Sequence, residues 1–192
     1  GEAVSSLGST LVLKLLSAQR VESAQHGIYS HRFGKLWLTG GASNSGGAVL
    51  RSFFEDTRLQ SLSQRIDPQL PSGLDYYPLL RPGERFPVND PDYPPRLSPR
   101  PDDDAIFLQG LLEGIARIEA RGYQLLQELG ATPLTSVRSA GGGACNPAFS
   151  AIRFRYLGVP LHTAHHAEAA YGSALLAREG SWLLYSDHDK SI

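Results

Sequence analysis

Residues 139–146 constrain the fold of this chain most, because three consecutive glycines lie between a strand-like run and a helix-like run. Residues 133–137 predict a short strand, and residues 147–156 predict a helix that begins at Pro147 with Asn146 as its cap. A glycine backbone can approach a ligand closely, and the N–H groups at the start of the helix favour an anion. The same composition also suits a turn that merely lets helix and strand pack, so this stretch alone leaves both interpretations open.

A second small-residue turn interrupts the apolar residues near the start of the chain. Residues 4–16 predict a hairpin around Gly8, Ser9 and Thr10. The N–H groups and two hydroxyls of this turn could form a nest for a phosphate group. Turns of this composition are common, so an ordinary hairpin turn is the alternative.

A third turn repeats the pattern of strand, glycines and helix. Residues 35–39 predict a strand, residues 40–47 are rich in glycine and end in Gly46 and Gly47, and residues 48–56 predict a helix. The turn could form part of a ligand site or could be a loose connecting loop.

Proline dominates the middle of the chain. Residues 60–104 carry ten of the 13 prolines, which predicts an insertion with little regular structure that packs on the surface. Residues 105–129 then predict a long helix with one apolar stripe, in which Glu113 and Arg117 lie one turn apart and could pair. The three acids at residues 102–104 predict a cap for this helix, with a metal site as the less favoured alternative.

The last part of the chain predicts a strand at residues 158–162 and a helix at residues 167–178. Between them, three histidines at positions 162, 165 and 166 invite a zinc interpretation. Because ligands at zinc spacing are lacking except for Glu168, a polar loop is favoured. The tail at residues 181–192 predicts nothing specific.

Composition narrows the class of protein. The 192 residues carry a formal net charge of −1, which gives no indication of a nucleic-acid or membrane partner. No apolar run reaches the roughly 20 residues that a membrane span needs. A single cysteine, Cys145, excludes an internal disulfide and favours a reducing, cytoplasmic location. Since the chain has no methionine and begins with glycine, we expect it to be a piece of a longer protein.

The order of these segments resembles the C-terminal lobe of the FGGY family of carbohydrate kinases, over residues 1–177. The resemblance is carried by the long helix and by four shorter segments, at residues 6–10, 77–87, 141–147 and 168–177. It implies an α/β, actin-like ATPase (ribonuclease H-like) domain, in which a mixed sheet with flanking helices forms one lobe of a two-lobe kinase. Residues 1–192 would then be the nucleotide-binding lobe, closest to the D-ribulose and D-xylulose kinase branch.

The resemblance also implies ATP and Mg²⁺ as cofactors and assigns roles to eight residues. The phosphate-side turn is matched by Gly8, Ser9 and Thr10. A wall of the nucleotide site is matched by Gly46 and Gly47, and the adenosine motif by Gly142, Gly143 and Asn146. Many relatives have a bulky aromatic residue where this chain has Ser52, so Phe53 is the suggested replacement for packing on adenine. Gly143→Val is predicted to block the nucleotide with a modest effect on folding.

The family's catalytic aspartate lies upstream of the phosphate-side turn, and Glu2 does not match its motif. We therefore expect the catalytic base upstream of Gly1, on an N-terminal lobe that also makes most sugar contacts, and no turnover by this chain alone. Two alternatives remain: a non-catalytic nucleotide-binding or interaction module with the same fold, and another actin-like ATPase in which nucleotide binding drives movement.

Overall fold

A computed structural model describes residues 1–164, 166 and 169–179. Its centre is a mixed sheet of six strands in the order β3-β4-β2-β1-β5-β6. The strands are β1 (Glu2–Leu7), β2 (Leu11–Ser17), β3 (Tyr29–Phe33), β4 (Leu36–Ala42), β5 (Ser136–Ala140) and β6 (Leu161–Thr163). The first four pair antiparallel, whereas β5 joins β1 in parallel and β6 continues parallel to β5.

This topology brings three strand ends to one edge of the sheet. Because β4 and β1 both run antiparallel to β2, the carboxyl ends of β1, β4 and β5 lie at the same edge, with the amino end of β2 between β4 and β1. The predicted hairpin is confirmed as β1 and β2. The strand predicted at residues 133–137 lies three residues later, because its pairing with β1 begins at Ser136 opposite Glu2.

The helices are α1 (Gly47–Phe53), α2 (Asp56–Ser63), α3 (Asp104–Glu128), α4 (Pro147–Leu157) and α5 (Ala169–Glu179), with short 3-10 helices at Ala24–His26 and Gly142–Cys145. Helix α1 is shorter than the predicted helix at 48–56, because Phe54 takes an extended conformation. Helix α2 is not among the predictions. The proline-rich segment without helices therefore begins at residue 64 instead of residue 60.

Helix α3 packs against the face of the sheet on which Leu11, Leu13 and Leu15 are buried. Each such leucine contributes about 2 kcal/mol of hydrophobic burial. Gly122 of α3 is needed for close approach, since a Cβ there would lie 2.7 Å from Leu13 and from the buried ring of Phe86. Glycine lowers the helix propensity of α3 at this position, but its lack of a side chain is what allows the helix to pack this closely on the core.

A buried ion pair joins α3 and α4 beneath the sheet. The Arg153 guanidinium donates to both Glu119 oxygens at 2.6 and 2.7 Å, and neither side chain is exposed. Ser5 donates to Glu119 at 2.5 Å, and Arg153 donates to Ser139 at 2.7 Å. Since Ser5 and Ser139 are opposite each other in β1 and β5, the pair ties both strands to both helices.

The proline-rich segment is fixed to α3 by a second buried carboxylate. Glu113 accepts hydrogen bonds from Ser72 at 2.6 Å and from Gln109 at 3.1 Å, and pairs with Arg155 of α4 at 2.5 Å.

The predicted pairing of Glu113 with Arg117 is wrong. Arg117 instead donates to the backbone carbonyls of Leu74 and Tyr76 in the proline-rich segment, while the Glu113 carboxylate is occupied by its other partners.

The predicted cap of the long helix is confirmed. The Asp103 side chain accepts from the N–H of Ala105, and Asp104 lies in the first turn. Arg58 and Arg100 both contact the Asp104 carboxylate, and the hydrogen bond from Arg58 is the largest cause that lowers its pKa. The acidic run is therefore used in capping and in surface ion pairs.

The predictions about a metal site and about the C-terminal tail involve some residues that the structure does not describe. Within residues 1–164, 166 and 169–179, no group of three His, Cys, Asp or Glu side chains could hold a metal ion. His165, Glu168 and the tail at 181–192 lie outside the described residues. None of the described helices is both long enough and apolar enough to cross a membrane.

Candidate functional site

The three small-residue turns meet where β1, β4 and β5 end. The N–H of Gly47 donates to the carbonyl of Gly8 at 2.9 Å. A Cβ at Gly46 would lie 2.7 Å from the Thr10 Cα, and one at Gly141 would lie 2.9 Å from the Leu7 carbonyl. Glycine is thus required for backbone-to-backbone contact between turns that are distant in the sequence.

A cleft of about 650 Å³ opens between these turns and helices α2, α3 and α4. Six of the eight predicted site residues line it, namely Gly8, Gly46, Gly47, Gly142, Gly143 and Asn146. Ser9 and Thr10 are not part of the lining and lie beside it, in contact with Gly46. The structure therefore brings together residues that the sequence placed in three separate turns.

Gly1, upstream of which the catalytic base is expected, lies away from this cleft and is not part of its lining. Its amino group donates to the Leu16 carbonyl at 2.9 Å, and its own carbonyl accepts from the N–H of Thr135 at 2.8 Å. These contacts place Gly1 at the amino end of β1, a strand length of about 20 Å from the 8–10 turn. A base supplied by a preceding segment would therefore have to come from a part of the chain that returns to the cleft, and its position stays a prediction.

The turn at residues 8–10 leaves polar groups unused. Within the part of the chain that the structure describes, neither the N–H groups nor the hydroxyls of Ser9 and Thr10 hydrogen-bond another residue. Ser9 is exposed and Thr10 is half-buried, so both residues can be reached from solvent. Clustered N–H and hydroxyl donors of this kind suit an anion.

The turn at residues 43–47 uses its donors differently. The N–H of Gly47 and that of Ala48 donate to the Gly8 and Ser9 carbonyls at 2.9 and 3.0 Å. These two groups therefore fix the neighbouring turn and do not point freely into the cleft. Glycines 46 and 47 contribute bare backbone to the wall.

The turn at residues 141–146 is satisfied internally only in part. The N–H groups of Ala144 and Asn146 donate to the Gly141 and Gly143 carbonyls, whereas those of Gly142 and Gly143 have no partner among the described residues.

Asn146 caps α4, because its side-chain oxygen accepts from the N–H of Phe149 at 3.1 Å, and its amide nitrogen donates to Ser63 at 2.8 Å. Pro147 has no N–H, so the start of α4 has fewer free donors for an anion than the sequence of the preceding glycine-rich turn suggested. Asn146 also links α4 to α2 across the cleft.

The cleft walls are mainly apolar, with a polar rim. Leu108, Leu112 and Ile115 of α3 form the deep wall, and Gln60 and Gln64 lie on the α2 side. Sequence reasoning missed the α2 contribution, although the leucines at 59 and 62, three residues apart, are a weak helical signal.

Phe53 does not fill the role suggested for it. It is absent from the cleft lining, and its ring packs edge-on against Phe107 at 5.0 Å. The hydroxyl of Ser52 donates back to the Val49 carbonyl at 2.7 Å. Leucines on α1, α2 and α3 provide the apolar surface instead.

A basic side chain that the sequence did not single out lies near the 8–10 turn. Arg51 lines the cleft and pairs with Asp56 at 2.9 Å, with both side chains more than half exposed. A Cβ at Gly47 would be 3.6 Å from the Arg51 guanidinium, which places this charge over the start of α1. Arg51 is the only arginine or lysine among the described lining residues.

Gly142 and Gly143 differ in what a side chain would meet. A Cβ at Gly143 would lie 2.9 Å from the Leu7 Cβ, whereas one at Gly142 would meet nothing within 4 Å. Gly143→Val would therefore disturb packing, and the predicted modest effect on folding is wrong. Gly142 therefore combines a place in the cleft lining with open space for a Cβ.

Comparison with known proteins agrees with this architecture. The family model described as "FGGY family of carbohydrate kinases, C-terminal domain" matches residues 3–178. The match covers β1 to the last turn of α5, and so includes all three turns.

Solved structures of sugar kinases superpose on most of the chain. A xyloylose (xylulose) kinase from Brucella ovis is similar over 93% of this chain, with a TM-score of 0.80 and 26% identity. A xylulose kinase from Bifidobacterium adolescentis covers 98%, with a TM-score of 0.77 and 20% identity. Plasmodium falciparum glycerol kinase covers 97%, with a TM-score of 0.70 and 16% identity.

These alignments span only 38 to 39% of the length of the three relatives. The predicted actin-like ATPase fold, with a mixed sheet and flanking helices, is confirmed as one lobe of a kinase. The chain belongs to the FGGY family of carbohydrate kinases and contains its C-terminal domain.

Proposed function

We propose that this chain is the nucleotide-binding half of an ATP-dependent sugar kinase, with ATP held in the cleft between the three turns. The observation that carries the proposal is the convergence of six predicted site residues on one cleft of about 650 Å³. Supporting it, the glycerol kinase from Plasmodium falciparum to which the chain is similar was solved with ADP.

The two ends of the cleft suit the two ends of a nucleotide. Leu59, Leu108 and Leu112 offer an apolar surface for a base, with Gln60 and Gln64 near enough to meet its polar edge. At the other end, the unused donors of Ser9 and Thr10 suit phosphate oxygens. The bare backbone at Gly142 leaves room for the ribose.

Arg51 is proposed to contact the phosphates. Its guanidinium presents parallel donors that match phosphate oxygens, and its present partner, Asp56, is an exposed carboxylate that a phosphate can replace. This contact adds a positive charge at the end of the cleft where the nucleotide carries its negative charge.

Mg²⁺ is proposed to arrive with the nucleotide, because this ion usually keeps several waters and binds through phosphates with one or two carboxylates. It would neutralise charge on the transferred phosphoryl group. This chain's residues would hold and orient the nucleotide, while the sugar and the base that accepts its proton lie on an N-terminal lobe, upstream of Gly1. A ketopentose such as D-ribulose or D-xylulose is the proposed substrate, and the cytoplasm the proposed location.

Nucleotide binding is tested by calorimetric titration of the 192-residue chain with Mg-ADP, comparing Gly142→Val with Gly172→Val. Both glycines have open space around a new Cβ, but only Gly142 lines the cleft. We expect Gly142→Val to weaken ADP binding by about tenfold or more, because its side chain occupies ligand space. Equal affinities in the two variants would place the nucleotide elsewhere.

Arg51 is tested separately by comparing ADP with adenosine. Arg51→Ala should weaken ADP binding by about tenfold and leave adenosine binding unchanged, because a charge-assisted bond to phosphate is lost. Arg58→Ala is the control, since Arg58 pairs with Asp104 outside the cleft lining. An equal loss for adenosine would mean that Arg51 supports the fold and does not bind phosphate.

Catalysis is tested by measuring ADP release from Mg-ATP with a panel of ketopentoses and polyols, with the chain alone and with an N-terminal lobe of the family. Release that requires both the sugar and the second lobe is the expected result. ADP binding without release in either mixture would favour the non-catalytic nucleotide-binding module.

A further inference from the structure

Glu84 is a buried carboxylate with only hydrogen-bond donors around it. It is 2% exposed, and no arginine or lysine pairs with it in the part of the chain described. Oε1 accepts from the N–H groups of Asn44 at 2.6 Å and Arg85 at 2.8 Å. Oε2 accepts from the hydroxyls of Ser43 at 2.7 Å and Tyr77 at 2.9 Å. All four partners donate, so each oxygen is fully used.

Two of these donors begin the turn that forms a wall of the cleft. The Ser43 hydroxyl, besides donating to Glu84, accepts from the N–H of Ser45 at 2.9 Å. Residues 43 and 45 are hydrogen-bonded through their backbones to Leu11, the first residue of β2, at 2.9 and 2.8 Å. The turn then continues into Gly47, whose N–H holds the Gly8 carbonyl.

Hydrogen bonds and the backbone between residues 45 and 47 therefore connect Glu84 to the turn at residues 8–10. Ser43 is fully buried and is not part of the cleft lining, and neither is Glu84. Ser43 and Glu84 can therefore affect a ligand only indirectly, through the backbone of the 43–47 and 8–10 turns. Their hydrogen bonds can set the distance between Gly8 and the backbone of Gly46 and Gly47.

We propose that Glu84 is a positioning residue that sets the phosphate-binding geometry of the cleft by holding the 43–47 turn against the 8–10 turn. The inference rests on the proposed nucleotide function. It assigns a role to the proline-rich segment, which carries Glu84 and, apart from Gln64 at its start, lies outside the cleft lining.

The neighbouring residues explain why Glu84 can be held in place. Phe86, two residues on, is fully buried, and its ring occupies the space that Gly41 and Gly122 leave open. A Cβ at Gly27 would lie 1.8 Å from the Arg85 carbonyl, so the backbone on the other side is also fixed. Phe86 therefore anchors the segment in the core, and the Glu84 carboxylate is presented to the turn from a rigid base.

The test compares two serine hydroxyls that each donate to a buried glutamate. Ser43 donates to Glu84 at 2.7 Å, and Ser72 donates to Glu113 at 2.6 Å. Ser43→Ala and Ser72→Ala remove the same chemical group, but only Ser43 belongs to a turn of the cleft. Both variants are titrated with Mg-ADP and with adenosine, and both are unfolded in urea.

We expect both variants to unfold at lower urea concentration, and only Ser43→Ala to bind ADP more weakly, by about fivefold. Adenosine binding should stay unchanged in both, because the apolar end of the cleft does not depend on the turn. Equal ADP affinity in Ser43→Ala and Ser72→Ala would overturn the proposal. Failure of the unsubstituted chain to bind ADP would overturn the proposed function instead, so the two failures are distinguishable.

Glu84→Gln provides a second variant that should fold. The glutamine oxygen can still accept from the two backbone N–H groups, and its NH₂ can donate to hydroxyls that reverse their role. The Ser43 hydroxyl would then have to change its hydrogen bonding within the turn. We expect ADP binding weaker by about fivefold and unchanged adenosine binding. Unaltered ADP binding in a folded Glu84→Gln variant would also overturn the proposal.

Discussion

The turns at residues 8–10 and 141–146 resemble each other in sequence and differ in their hydrogen bonds. Ser9 and Thr10 leave their N–H groups and hydroxyls without partners among the described residues. In the second turn, Ala144 donates to Gly141, and both ends of the Asn146 amide bind within the protein. Small residues thus occur in two settings at one sheet edge: the 8–10 turn leaves both hydroxyls without partners in the described part of the chain, whereas the polar side chain of the 141–146 turn supports α4 and α2.

The largest loss of stability is expected from Glu119→Ala, because the pair of Glu119 with Arg153 is bonded to β1 and β5, the strands that lead into the two turns. Removing one member of a buried pair leaves an uncompensated charge, at a cost of about 3–5 kcal/mol. Urea unfolding measures this loss. Glu128→Ala is the control, since its pair with Arg121 is about half exposed and is worth at most about 1 kcal/mol. Similar losses in both variants would contradict the anchoring role.

The next largest effect is expected from Gly46→Ala, which would press a Cβ against the backbone of the 8–10 turn. The new atom would lie 2.7 Å from the Thr10 Cα at a residue with φ of +150°, so we expect a loss of about 2 kcal/mol. Gly142→Ala is the matched control, with nothing within 4 Å of its Cβ. Melting temperatures of the two variants check the difference, and an unchanged Gly46→Ala melt would mean that the turns can separate freely.

A pair of alanine substitutions separates the two turns more finely. Asn146→Ala loses both the oxygen that caps α4 and the amide donor to Ser63, so it should lower the free energy of unfolding by about 1.5 kcal/mol.

Ser9→Ala removes no hydrogen bond to a described residue, so its stability should be unchanged within about 0.5 kcal/mol. Its ADP affinity should fall by about threefold, because the hydroxyl is proposed to meet phosphate. Urea unfolding and ADP titration of both variants give the answer. A destabilised Ser9→Ala that binds ADP normally would reverse the assignment of the two turns.

The smallest effect concerns a buried donor far from the cleft. The Lys14 amine has no hydrogen-bond partner among the described residues and lies 3.8 Å from the centre of the Tyr29 ring. Burial lowers the pKa of Lys14 from 10.5 to about 8. Between these values the unfolded chain binds more protons, so stability should rise with pH through this range.

Lys14→Met should abolish that rise, which is measured as the difference in unfolding free energy between the two proteins from about pH 7.5 to about pH 9.5. The difference between the proteins removes the contribution of other groups that titrate in this range. A pH-independent difference would show that Lys14 stays charged in the folded protein.

The sequence predicts the elements whose signals are local. The long helix and the hairpin have strong periodicity, and the cap at Asp103 follows from residue type alone. Helix α2 was missed because only Leu59 and Leu62 mark its buried side, and its stability depends on packing against α3.

The site follows the same rule. Glycines that line the cleft are visible in the sequence, because few other residues allow close backbone approach. The roles of Arg51 and Glu84 depend on distances across the fold. The partners of Glu113 likewise come from residues 72 and 155, and helical spacing alone cannot identify them.

The parallel pairing of β1 with β5 constrains the order in which parts of this domain can fold. Glu2 finds its neighbour Ser136 only after the proline-rich segment and α3 have been made. Closing so long a loop is slow compared with forming a hairpin or a helix. On the ribosome, β1 and β2 would emerge early, and β1 would present an open edge until β5 arrives. The cleft between the three turns is therefore among the last features of the domain to form.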